Sequence, residues 1–177
     1  SKSNQMTTFE KLSAINVNEH VEKKKDLSYL SWAWAWSEVK RACPDARYKM
    51  GETEYDEALG FMCHTTVTIE DETLEMWLPV MDGANKSMKK TSYTYSTRFG
   101  DKTVEAATTF DINKTMMRCL VKNLAMFGLG LYIFAGEDLP EDVAEPIVAK
   151  PIEPPMLVEL KKDSQDWLKV VMYVRAN

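Results

Sequence analysis

Lys114, Arg118 and Lys122 recur at every fourth position of the segment KTMMRCLVKNLAMFGLGLYIF, residues 114–134. On a helix, each step of four climbs about 6 Å, close to the spacing of phosphates on an extended strand. Cations in such a row do no covalent chemistry; they neutralise a polyanion. A second group lies in the connection 82–103, where Lys86, Lys89 and Lys90 precede Tyr93, Tyr95 and Arg98. Cations for a sugar-phosphate backbone, interleaved with rings for bases, have the composition of a single-strand contact surface. Each group also has a plainer reading, as a solvated helix face and as an ordinary polar loop.

Other chemistries find less support. Asp82, Glu105 and Asp111 can be drawn as a two-metal nuclease site, but their spacing matches no nuclease motif, and surface carboxylates are the simpler reading. No GxxxxGK[ST] loop is present: Gly83-Ala84-Asn85-Lys86 lacks the second glycine. Gly128-Leu129-Gly130 follows a helical pattern rather than a strand, so it is no dinucleotide fingerprint. HExxH, CxxC and GxSxG are absent, and His20 and His64 are the only histidines. The sequence therefore predicts no catalytic residue, no metal and no cofactor. Cys43, Cys63 and Cys119 are odd in number and scattered, which predicts buried thiols in a reducing compartment. No apolar run reaches the roughly 18 residues of a membrane span, and the polar start SKSNQMTTFEK predicts no signal peptide.

The net charge of −5 argues against a polyanionic partner until its distribution is considered. Residues 137–166 carry nine acids and three lysines, a net −6, whereas residues 83–122 carry eight bases and three acids, a net +5. An acidic tail thus masks a basic body, and the local patch is what attracts phosphate.

The elements that must hold these residues follow from periodicity. Ile112, Met116, Leu120 and Leu124 recur every four residues on a face apart from the cations, predicting an amphipathic helix in the stretch 114–134, into which residues 108–111 lead. Asp111 or Thr109 can cap its start, and Gly128 and Gly130 stop it. Residues 131–134 read as a short terminal strand. Residues 61–70 alternate with Phe61, Cys63, Thr65, Val67 and Ile69 on one face, and residues 73–81 place Leu74, Met76, Leu78 and Val80 on theirs. With residues 46–54 they predict an antiparallel meander buried on one side. Residues 27–43 predict a first helix, capped by Ser28 or Ser31 and stopped by Pro44. Trp32 and Trp36 lie on one of its faces and Trp34 nearly opposite, which suits contact with a neighbouring subunit. Residues 82–103 read as a long irregular connection.

Four segments result: a polar start, 1–26, with Lys23–Lys25 at its end; a core, 27–138; a Pro-rich acidic linker, 139–166; and a C-terminal docking segment, 167–177. The linker region holds five of the seven prolines. Trp167, Val170, Val171 and Val174 make the last segment apolar again.

Three blocks, LSYLSWAWAW, MWLPVMDGANKSM and DINKTMMRCLVKNLAMFGLGLYIFAGEDLP, resemble phage single-strand annealing proteins of the Sak3 group, within the Rad52-like superfamily. The resemblance covers about 27–140. It implies an α+β fold: a small curved antiparallel sheet of three to four strands on a long C-terminal helix. It also implies a ring or helical filament holding ssDNA in a basic groove, with annealed duplex DNA as the product, in the cytoplasm of a bacterial host. In the Rad52-like pattern a basic pair precedes a Phe-Gly at the helix end. Phe127-Gly128 matches the Phe-Gly and Lys122 the second basic position; Val121 stands at the first, with Lys114 and Arg118 in compensation. DNA contacts are thus expected at Lys86, Lys89, Lys90, Tyr93, Tyr95, Arg98, Lys114, Arg118 and Lys122. Subunit contacts are expected at Trp32, Trp34 and Trp36. For the tail the resemblance implies partner binding, with a host single-strand-binding protein or a phage exonuclease as candidates. A metal-dependent nuclease and a pure interaction module remain the alternatives.

Overall fold

The computed structural model describes residues 5–24 and 27–137. It is an α+β body in which small antiparallel sheets pack on a long C-terminal helix, as the sequence predicts.

That helix, α3, spans Thr109–Met126. Its cap is Thr108, not Asp111 or Thr109. Thr108 is the last extended residue, and its hydroxyl accepts from the Asp111 N–H at 3.2 Å. The Asp111 carboxylate accepts in return from the Thr108 N–H at 2.9 Å, closing a capping box. This backbone hydrogen bond holds the Asp111 carboxyl below the ordinary carboxylate range, against an opposing effect of burial. A depressed folded pKa means the stabilisation is present above the ordinary carboxylate value and is lost as pH falls through the depressed one. Asp111→Ala is expected to cost about 1 kcal/mol at neutral pH, the scale of a capping interaction. Urea unfolding should show that difference shrinking in acid.

At its far end α3 closes in a Schellman motif. The Gly128 N–H donates to Ala125 O at 2.9 Å and the Leu129 N–H to Leu124 O at 3.3 Å, with Gly128 at φ +121°. Gly130 is left-handed at φ +66° and turns the chain back against Val17 and Leu30. The expected strand at 131–134 is therefore a 3-10 turn, Leu131–Phe134, with Ile133 N–H bonded to Gly130 O.

The main sheet centres on β5, Gly60–Ile69. β3 (Arg47–Met50) and β4 (Glu54–Asp56) pair along one edge, and β6 (Glu72–Pro79) along the other, all antiparallel. The single strand expected over 46–54 is thus two, divided near Gly51, where a side chain would press on His64. Cys63, Thr65, Val67 and Ile69 are buried against the helices, while Trp77 on the opposite face of β6 is 56% exposed. Asn123 of α3 reaches this sheet. Fully buried, its amide donates to Thr65 O at 3.2 Å and to Leu74 O at 3.0 Å, tying helix to β5 and β6.

Residues 5–24 are part of the same body. α1 (Thr8–Ser13) buries Leu12, and Val17 beyond it is also fully buried. β1 (Val21–Lys24) pairs with β2 (Leu27–Leu30). The first helix expected from Leu27 consequently begins later: α2 is Trp32–Ala42, with the Ser31 hydroxyl accepting from the Trp34 N–H. The β-pairing of 27–30 overrides a helical reading there. The connection 82–103 is more ordered than expected, since β7 (Tyr93–Thr97) and β8 (Gly100–Val104) form a hairpin. The linker and docking segments, 139–177, lie outside the described residues.

The three cysteines are free and buried. Burial pushes the Cys63 thiol up to about 11, so it stays protonated and unreactive at neutral pH.

Candidate nucleic-acid interface

Helical periodicity divides α3 into two working faces. Ile112 and Met116 pack on the cluster of Cys63, Val80, Met88 and Val104 beneath the β7–β8 hairpin. Lys114 and Arg118, about half a turn round the axis, face β2 instead. There they line a groove of about 440 Å³ with Tyr29, Trp32 and Phe110. A much smaller groove, of about 10 Å³, adjoins it, sharing Tyr29, Leu30 and Arg118 and adding Lys122 and Phe134. The row predicted from fourfold spacing is therefore one continuous edge, running along the seam between α3 and β2.

The remaining predicted cations sit elsewhere. Lys86, Lys89 and Lys90 project from the segment between β6 and β7, and neither of the two grooves is lined by them. Gly60 anchors that segment. At φ +84° it lets the Met88 carbonyl approach so closely that a Cβ would lie 2.4 Å from its oxygen. Tyr93 braces it from the other side, donating its hydroxyl to Ser87 O. Burial, with Asp82 nearby, holds that phenol above its ordinary pKa, so the donor proton is kept. Arg98 lies at the tip of the β7–β8 hairpin, beside the 79% exposed Phe99.

All seven predicted cations share one feature that their spacing did not reveal: each lies over an aromatic ring. Lys86 and Lys89 sit over the predicted Tyr95 and Tyr93, at 5.0 and 4.8 Å. Lys90 covers Tyr55 at 4.4 Å, Arg118 covers Tyr29 at 4.7 Å, and Lys122 covers Phe134 at 5.4 Å. The attraction holds a cation in place without neutralising it. Among the described residues only Lys122 of the seven has an acid within 4.0 Å, Glu137 at 3.7 Å. Glu137 is also held by the Ser28 N–H at 2.7 Å. Among the described residues the other six form no ion pair.

Tyr29, Tyr55, Phe99, Phe110 and Phe134 thus lie under predicted cations, and sequence reasoning named none of them. Phe110 stands four residues before Lys114, an i,i+4 ring–cation spacing readable in advance. Tyr29 and Tyr55 meet their cations only through tertiary packing.

Two of the three carboxylates drawn as a nuclease site are occupied locally. Asp82 accepts from the Ala84 and Lys86 N–H groups, and Asp111 closes its capping box. Among the described residues, no three His, Cys, Asp or Glu side chains converge as a metal-binding group, and no helix is long and apolar enough to cross a membrane. Of the three tryptophans, Trp32 is 47% exposed. Trp34 stacks on His20 at 4.0 Å, and Trp36 meets Tyr48 edge-on at 4.9 Å.

A small antiparallel sheet thus packs on a glycine-stopped helix, with Lys114, Arg118 and Lys122 along one seam. Residues 7–165 match the family model described as Sak single strand annealing protein. The chain belongs to that family, and its role is the annealing of single-stranded DNA. The match takes in α1 and most of the Pro-rich acidic segment, beyond the three blocks that carry the resemblance. No curated protein matches the chain.

Proposed function

We propose that the chain is an ATP-independent, non-enzymatic annealing protein of phage recombination that holds ssDNA along the seam of α3 and β2. The observation that carries this reading is the row Lys114, Arg118 and Lys122, seated over rings in two adjoining grooves of a Sak-family chain. These cations neutralise successive phosphates and hold the strand extended. Lys86, Lys89, Lys90, Tyr93, Tyr95 and Arg98 form a second surface for the same strand or its complement. Bases facing outward sample an incoming strand, and pairing energy drives the product without nucleotide hydrolysis.

Protomers joined in a ring or helical filament lengthen the track, and adjacent sites on one strand gain from effective concentration. Trp32, Trp34 and Trp36 supply the contact between protomers. The protein works on DNA in the cytoplasm of the bacterial host, and its tail binds a host single-strand-binding protein or a phage exonuclease.

The test mixes complementary labelled oligonucleotides with the full chain, in chelator and without ATP. Accelerated pairing of intact strands by a large assembly, seen by gel filtration, is the outcome expected. Unaccelerated pairing, or a monomer with and without DNA, overturns the reading. Strand cleavage once Mg²⁺ or Mn²⁺ is added would point to the nuclease instead.

A further inference from the structure

The 440 Å³ groove between α3 and the β1–β2 hairpin is larger and chemically more varied than a phosphate track requires. Its volume falls in the range of sites that enclose small organic groups. Phe110 stands on its wall 72% exposed, and Trp32 on its rim 47% exposed. Rings of that size left in water are costly unless something covers them. Lys114 and Arg118 line the same groove, with Arg118 lying over Tyr29.

Glu22 and Asn113 also line it. A carboxylate there repels a phosphate at close range. It accepts readily from the exocyclic amino group of a base, as an amide both donates and accepts along a base edge. Exposed rings, two cations and two exposed polar side chains together fit a nucleobase whose flanking phosphates stay outside.

We propose that this groove receives one unstacked nucleobase of the bound strand, held against Phe110 and Tyr29 while Lys114 and Arg118 hold the adjacent phosphates. The inference rests on the ssDNA-binding reading above and adds to it a contact with a base rather than with the backbone alone. One captured base fixes the strand against sliding, and the bases on either side are left splayed and readable. Phe110 is the residue to vary, because Trp32 is also placed at the contact between protomers.

The test compares a base-bearing oligonucleotide with an abasic deoxyribose-phosphate strand of equal length, each titrated into the full-length protein. The base-bearing strand is expected to bind about tenfold more tightly or better, the scale of one base stacked on an aromatic side chain. Phe110→Ala should remove most of that preference while leaving abasic binding in place. A 2-aminopurine in the strand should be quenched by the wild-type protein and less so by the variant. Failure of the wild type to bind either strand overturns the annealing reading itself. Equal binding of both strands overturns the base site alone. So does a preference unchanged by Phe110→Ala, or a variant that breaks the assembly while keeping the preference. The last result would give the groove to a neighbouring protomer. The wild-type comparison and its quenching decide the matter even if the variant does not fold.

Discussion

Replacing Lys114, Arg118 and Lys122 together with alanine lowers the salt dependence of ssDNA binding by about two units of log–log slope. Each phosphate neutralised on a single strand contributes roughly 0.7 to that slope, so three give about two. The same arithmetic puts the loss of affinity at roughly a hundredfold near 0.1 M salt. Arg118 should contribute most of the single-variant effect. It lines both grooves and has no acid within 4.0 Å among the described residues. Lys122 should contribute less, because Glu137 stands 3.7 Å from its ammonium and already offsets part of its charge. The three side chains lie at the seam rather than in the core, so circular dichroism should report an intact fold. An unchanged slope in a folded triple variant would remove the seam from the interface. The companion variant at Lys86, Lys89 and Lys90 asks a separate question, since those lysines line neither groove. A slope lowered by both triple variants means that DNA bridges the two surfaces.

The parts of this molecule that could be read in advance are those dictated by local period. The burial of alternate residues through β5 follows from a twofold pattern of β-branched and apolar side chains. The two faces of α3 follow from a fourfold pattern of cations and apolar residues. The misread parts depend on partners distant in sequence. Residues 27–30 look like the first turn of a helix until β1 is available to pair with them. Residues 131–134 look like a strand because Leu, Tyr, Ile and Phe favour one, yet two positive-φ glycines turn the segment back on Val17 before it can pair. The hairpin 93–104 was hidden by polar residues, since its strands bury little beyond Tyr93, Tyr95 and Val104. The candidate interface divides in the same way. The cations were visible as charges at fixed spacing, but the rings beneath Lys90 and Arg118 come from β4 and β2, which no local pattern joins to them.

Gly128→Ala should be among the most damaging single substitutions in the body, costing about 3 kcal/mol. Two effects add. The residue sits at φ +121°, where an L side chain costs roughly 1–3 kcal/mol by itself. A Cβ there would also lie 2.7 Å from the Phe9 carbonyl oxygen and 3.1 Å from the Ser13 nitrogen. Both are backbone atoms of the α1 segment, and neither can yield as the end of a flexible side chain would. Relief requires α1 to move off the end of α3, uncovering Leu12 and Val17, which are fully buried. For a body of this size about 3 kcal/mol corresponds to a fall of about 10 °C in the thermal midpoint. Gly100→Ala in the β7–β8 turn supplies the control. Its φ is +109°, yet a Cβ would meet nothing within 4 Å, so only the backbone strain remains. The difference between the two variants therefore isolates the contact between the α1 backbone and the stop of the cation-bearing helix. Equal losses in thermal denaturation would mean that α1 does not press on that stop. The N-terminal segment would then be an attachment rather than a wall of the core.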